Sequence, residues 1–286
     1  IYQPDIQKGY VIAVNGEGPA VPQIHQFLAN LITQPGATQH VSEQHHFSEK
    51  QQALSGFYRS INPGASLIAP FSVLSPWQLK VTNQSATIGP IVGAKPRPLG
   101  ARDDNYFTQW QTGKTILLAA EDPIAGAVIH YGPQTFKRIS VFTAYAPLSI
   151  VLVWVLLTII AFVFALIWLP RKLLGKTSVH ASIRLRSWPL ITLLPLMAVI
   201  TLFFYAKASP AFTSLLGQPS WVSVGITASS VLFLLASLWS MVVCWQTPRR
   251  NVNTLIYWHS ALLISLNGLI AFYLLLNGLI GVRLWA

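Results

Sequence analysis

The sequence predicts a membrane protein with four transmembrane α-helices, preceded by a small antiparallel β domain and, before that, by the last strands and helix of an α/β domain. Three observations carry this expectation. All eight acidic residues lie before position 123, whereas residues 146–286 carry nine Lys or Arg and no Asp or Glu. That half also holds four long apolar runs, 146–169, 188–206, 221–245 and 255–282. Residues 54–142 show short alternating apolar runs separated by turn residues instead.

The first element is residues 1–34. Ile1 to Val14 reads as two strands joined at Pro4 to Gly9, and the second, Tyr10 to Val14, is nearly continuous apolar, as strands buried on both faces are. Asn15 to Pro22 is turn-like. Pro22 then opens an amphipathic helix, Gln23 to Thr33, with Ile24, Phe27, Leu28, Leu31 and Ile32 along one side. A strand pair is not stable by itself, so this segment calls for a larger sheet that the 286 residues do not contain. The chain has no start Met, no basic leader and no apolar leader core. It is therefore expected to be a fragment or a processed product.

Residues 35–53 are polar, with Pro35, Gly36 and three His, and read as a linker. From Leu54 the strands expected are Gly56–Ser60, Trp77–Asn83, Ala86–Val92, Tyr106–Trp110, Lys114–Ala120, Ala127–Tyr131 and Thr135–Phe142. Turn residues at Asn62-Pro63-Gly64, Gly93 to Asp104, Thr112-Gly113 and Asp122-Pro123 divide them. The result is a small antiparallel sheet or barrel over residues 54–142. The sole cysteine, Cys244, lies in the third apolar run, so the domain has no disulfide framework.

Each apolar run is near or above the ~20 residues that cross a ~30 Å hydrocarbon core as a helix. Trp168, Trp188, Trp221, Trp245, Trp258 and Trp285 cluster near the run ends, as aromatic rings do at headgroup level. Pro189 and Pro195 are expected to start and kink the second span. The first connection holds Arg171, Lys172, Lys176, Arg184 and Arg186, and the third Arg249 and Arg250, against Lys207 alone in the second and Arg283 in the tail. By the positive-inside rule the first and third connections face the cytoplasm. The N-terminal half and the C-terminus then lie on the far side, which in a bacterial inner membrane is the periplasm. The net charge of +11 is thus mostly topology, and the partner it implies is the lipid bilayer, with no nucleic acid.

The run PDIQKGYVIAVNGEGPAVPQIHQFLANLI, residues 4–32, resembles the end of the catalytic domain of serine hydrolases related to class C β-lactamases and penicillin-binding proteins. The matching positions are Pro4, Gly9, Asn15 and the helix from His25 to Leu31. LSGFYRS, FTQWQTGKTILLAAED and TFKRIS resemble strands of the lipocalin-like domain that follows it in membrane-attached members. LIYWHS and YLLLNGLIGVRLW resemble their final helix. The resemblance implies an acyl-serine mechanism with a Ser-x-x-Lys pair, a loop Tyr and a strand Lys or His, in an upstream catalytic domain of the same parent protein. No Ser in this chain has Lys three positions on, so no catalytic, cofactor or metal residue is assigned here.

Several local signals have plainer readings. Gly113-Lys114-Thr115 resembles the end of a phosphate loop, but position 108 is Thr108, not the earlier Gly that the loop requires. His40, His45 and His46 with Glu43 and Glu49 are metal-ligand types, yet they sit in the polar linker. His130 beside Tyr131 alternates within a strand, and Ser55, Ser60 and Ser66 have no evident base. LNGLI occurs twice, placing Asn267 and Asn277 ~80° apart on one helix. Both read as helix-packing sites where Gly permits close approach and the amide bonds across helices. His259 is the intramembrane group whose ordinary pKa lies nearest neutral pH, and no carboxylate accompanies it.

The leading expectation is a membrane-anchoring, accessory C-terminal part of a periplasm-facing serine hydrolase whose substrate the sequence leaves open. The alternative is a non-enzymatic membrane receptor or accessory protein with a ligand-binding periplasmic β domain.

Overall fold

In the computed structural model the β domain closes on itself as an eight-stranded antiparallel barrel, and four long helices follow it. The structure describes residues 2–3, 8–12, 23–24, 27–28, 46–62, 69–101, 104–109, 115–175 and 180–284. At the N-terminus β1 (Tyr2–Gln3) pairs with β2 (Lys8–Gly9). Residues 10–12, expected within a buried strand, are not strand here. Val11 is 92% exposed, because the two-residue ladder ends at Gly9 and no further described strand extends it. Residues 23–24 and 27–28 are helical, with Ile24 and Phe27 exposed. The remainder of the expected turn and helix lies outside the described residues.

The barrel strands are β3 (Gly56–Ser60), β4 (Trp77–Val81), β5 (Ala86–Pro90), β6 (Arg97–Ala101), β7 (Tyr106–Gln109), β8 (Thr115–Asp122), β9 (Gly126–Tyr131) and β10 (Gln134–Ile139). Each pairs antiparallel with its neighbour in sequence, and β10 closes on β3 with Phe136 opposite Ser60. This up-and-down order is the lipocalin-like arrangement, and closure leaves no strand edge. An eight-stranded barrel is just wide enough to be filled by side chains. Here Tyr58, Leu79, Ile88, Leu99, Phe107, Leu117, Ile129 and Phe136 fill it. Trp77 leans over Tyr131 and Phe136, with centroids 5.5 and 5.0 Å away.

β6 falls inside the expected turn from Gly93 to Asp104. Leu99 is its buried apolar side chain, so no alternation announces it. Gly100 is required there, since a Cβ would lie 2.6 Å from Thr108 Oγ1 on β7.

The expected linker, 35–53, ends in ordered structure. Phe47 is buried in the barrel core and stacks on Phe107 at 6.1 Å. Ser48 and Gln51 then form a capping box that starts helix α1 (Glu49–Ala53). At the other boundary, Val141 and Phe142 are helical instead of strand. Ser140 Oγ accepts from Thr143 N and caps α2 (Val141–Leu173), leaving one residue between β10 and the helix.

The following helices are α3 (His180–Ala208), α4 (Phe212–Gly217), α5 (Trp221–Gln246) and α6 (Thr254–Leu276). α2, α3, α5 and α6 are each long and apolar enough to cross a membrane. At 1.5 Å per residue the 33 residues of α2 run about 50 Å, beyond a ~30 Å core. α3 begins eight residues before the expected Trp188 and carries Arg184 and Arg186 inside it, so Pro189 is internal instead of first. Position 189 is tolerated because neighbouring groups can satisfy backbone that proline disturbs.

α3 and α5 pack closely. Trp188 meets Trp239 edge to face at 6.1 Å, and a Cβ on Gly225 would lie 2.9 Å from Leu202. Ser223, Ser230 and Ser237 recur every seven residues on the buried face of α5, the small-residue pattern that lets helices approach in lipid. Arg249 lies 5.0 Å over the Trp258 ring, fixing the α5–α6 connection.

α6 ends at Leu276, six residues before the expected Val282. Gly278 at φ 68° gives the left-handed turn, Leu279 N bonds Leu274 O and Gly278 N bonds Leu275 O, a Schellman stop. The tail folds back on α5: Gly281 N donates to Ser230 Oγ at 2.9 Å and Thr227 Oγ1 donates to Val282 O at 2.8 Å. Non-helical backbone thereby keeps its bonds in apolar surroundings.

Candidate functional site

A polar side chain on an apolar helix is costly without partners, and Asn267 finds two. It is fully buried in α6; its Oδ1 accepts from Trp154 Nε1 of α2 at 2.8 Å and its Nδ2 donates to Pro189 O of α3 at 3.2 Å. One amide therefore ties three helices. Gly268 beside it leaves room that Met241 occupies; a Cβ there would overlap the Met241 methyl. On the α3–α5 seam, the hydroxyls of Thr192 and Ser240 are 2.8 Å apart, one donating to the other, and the accepting one is free to donate to the carbonyl 2.9 Å away on its own helix, Trp188 O or Ala236 O. His259 Nε2 donates to Leu157 O of α2 at 3.2 Å.

The barrel is seated on this bundle along β3. Phe57 at the start of the strand meets Tyr145 of α2 edge to face at 5.4 Å. Beyond its end, the Tyr273 hydroxyl of α6 donates to Pro70 O in the 3₁₀ turn Ala69–Leu74 at 2.6 Å. Together with the single residue joining β10 to α2, these contacts hold barrel and helices in one orientation.

The residues singled out from sequence take these places. Asn267 is a packing amide, as read. Asn277 is instead the C-cap of α6, its Nδ2 donating to Tyr273 O at 2.8 Å. Ser55 Oγ is held by both polar atoms of the Val81 backbone, at 2.9 and 3.0 Å. His130 Nδ1 is 3.1 Å from Thr135 Oγ1 across the β9–β10 pair. Ser60 Oγ is buried without a hydrogen-bond partner. His46 Nδ1 lies 3.4 Å from Asn83 Oδ1, and Glu49 sits in the first turn of α1. His40, Glu43, His45, Ser66, Gly113 and Lys114 lie outside the described residues. Among the described residues, no three His, Cys, Asp or Glu gather as metal ligands.

The chemistry available is correspondingly structural. Ser187, Ser237 and Ser265 bond carbonyls of their own helices, Ile183 O, Phe233 O and Ala261 O. Burial pushes the Tyr58 phenol above its ordinary value, against the opposing Arg138 charge, and its proton is given to Leu54 O at 2.6 Å. Sequence reading passed over Trp154, Thr192 and Ser240. Their signal was available: each is a hydrogen-bonding side chain inside an apolar run. Comparison with family models, curated proteins and solved structures gives no match for this chain.

Proposed function

We propose that this chain is the membrane-anchoring and accessory C-terminal part of a periplasm-facing serine hydrolase of the β-lactamase and penicillin-binding-protein type. Its acylating serine would belong to a catalytic domain of the parent protein. The observation that carries the anchoring half of this reading is the seating of a side-chain-filled barrel on four apolar helices through Phe57–Tyr145 and Tyr273–Pro70. A barrel packed with Tyr58, Phe107 and Phe136 offers a rigid spacer where a receptor would need a hollow interior. The hydrolase half rests on the resemblance of residues 4–32, around Pro4, Gly9 and Asn15.

Orientation is part of the proposal. Arg171 and Lys172 end α2, Arg184 and Arg186 lie in the first two turns of α3, and Arg249 and Arg250 lie in the α5–α6 connection, which supports a cytoplasmic face at these positions and a periplasmic barrel. Two experiments test the reading. A fluorophosphonate or fluorescent penicillin should leave the 286-residue chain unlabelled, and covalent serine labelling would refute the assignment of chemistry to another domain. A cysteine placed at position 124, at the fully exposed β8–β9 turn, should react with an impermeant thiol reagent on intact spheroplasts. Protection there until lysis would reverse the topology.

A further inference from the structure

The seam between barrel and bundle carries an apolar turn whose side chains the barrel core does not use. The 3₁₀ turn Ala69–Leu74 reads Ala-Pro-Phe-Ser-Val-Leu, five apolar residues of six, yet none of them belongs to the buried cluster that fills the barrel. Its largest side chain, Phe71, is 47% exposed. A lone exposed phenyl is ordinary on a soluble domain. The height of this one above the membrane makes it different.

That height follows from α6. Arg249 and Arg250 lie just before the helix, and from Thr254 to Tyr273 it rises about 29 Å at 1.5 Å per residue, against a hydrocarbon core of about 30 Å. Tyr273 therefore stands at the outer edge of the core, and its hydroxyl holds Pro70 O at 2.6 Å. Phe71 is the next residue. The other barrel contact gives nearly the same level. Measured outward from the Trp154–Asn267 bond, Tyr273 lies about 9 Å along α6, and Tyr145, which meets Phe57, about 14 Å along α2. The two contacts thus differ by about 5 Å, within a headgroup layer of ~5–8 Å.

Charge agrees with that placement. Residues 50–102, which supply strands β3 to β6 and the turn, contain six Lys or Arg and no Asp or Glu. Among the described residues, the barrel's carboxylates sit instead on α1, in the β6–β7 connection and at the β8–β9 turn, as Glu49, Asp104, Glu121 and Asp122. The stretch that meets the bundle therefore offers anionic headgroups no like charge.

We propose that the 3₁₀ turn is a membrane-docking element, with Phe71 entering the boundary between headgroups and acyl chains of the leaflet on the barrel's side. The barrel then rests on phospholipid as well as on α2 and α6. The gain is the transfer of an apolar ring out of water. The proposal rests on the membrane reading of the four helices and goes beyond anchoring, because it makes the bilayer surface itself a partner of the barrel.

Spin labelling of the full chain in nanodiscs of phosphatidylcholine and phosphatidylglycerol tests it, in a Cys244→Ser background that leaves each label unique. A nitroxide at Phe71→Cys should lose most of its relaxation by a water-soluble nickel chelate and gain relaxation by oxygen, relative to one at Ile124→Cys on the exposed β8–β9 turn. A label at Leu156→Cys, exposed near the middle of α2, should be shielded from nickel altogether. Nickel access at 71 equal to that at 124, with 156 shielded, overturns the docking proposal alone. Nickel access at 156 overturns the membrane reading and the proposal with it. The unsubstituted chain gives a second measurement: a phospholipid with a diazirine at the glycerol end of its acyl chain should mark residues 69–74 on illumination. Adducts on α2 and α6 with none on 69–74 would also overturn the docking.

Discussion

Replacing Asn267 by Leu removes the one amide that joins α2, α3 and α6. The shape is nearly kept, so the loss is one of hydrogen bonds. Bonds between helices in lipid contribute about 0.6 kcal/mol each on average and about 1.7 at most, so losing those to Trp154 Nε1 and Pro189 O predicts roughly 1–3 kcal/mol. The stranded Trp154 N–H keeps the value above the floor, since an unsatisfied buried donor costs about 1–3 kcal/mol. A loss of about 2 kcal/mol is expected. Steric-trapping unfolding in bicelles measures it, and a double-mutant cycle with Trp154→Phe isolates the pair, with an expected coupling of about 1 kcal/mol. If Asn267→Leu unfolds within about 0.3 kcal/mol of the parent, or the cycle closes with zero coupling, then Asn267 does not tie the bundle together.

Three further outcomes follow from the geometry. Tyr273→Phe deletes the bond to Pro70 O and should cost about 1 kcal/mol, seen as faster amide exchange of residues 69–74 with the barrel core unaffected; unchanged exchange would show that the seam does not depend on it. Gly100→Ala forces a Cβ against Thr108 Oγ1 and should destabilise the barrel by about 1–3 kcal/mol. Thr108→Ala in the same chain should rescue it, and failure to rescue would place the strain elsewhere. Asp122 accepts from the backbone N–H groups of Ala125 and Ile124, which hold its carboxyl below its ordinary value of 3.8. The folded pKa is the lower one, so its contribution to stability is present above pH 3.8 and fades as pH falls through the folded value. NMR titration of the Asp122 carboxyl should give a midpoint below 3.8, and a midpoint at or above it would remove the β8–β9 turn bonds from the account.

The two LNGLI copies show how far local sequence reaches. The five residues are the same, yet the first is helical throughout with a buried Asn267, and the second stops the helix with Gly278 at φ 68°. What separates them is their neighbours. Asn267 finds Trp154 and the carbonyl of Pro189 on facing helices, whereas past Asn277 the chain turns back onto Ser230 and Thr227 of α5. The same limit hid β6, where a lone inward Leu99 carries no period. By contrast, the capping box Ser48–Gln51 and the seven-residue serine spacing of α5 are written in the chain and could have been read from it.

Sequence by itself determined the four membrane-length helices and the β character of residues 54–142. A helix in lipid satisfies its backbone within its own run, so length and absence of charge suffice to mark it. Half-buried strands likewise advertise themselves by alternation. Tertiary structure alone decided that the sheet closes through β6 and β10, where α6 ends, and how β3 is seated on α2 and α6. Those outcomes depend on hydrogen bonds and contacts between residues far apart in the chain, such as Phe136 opposite Ser60 and Tyr273 on Pro70, which no local pattern encodes.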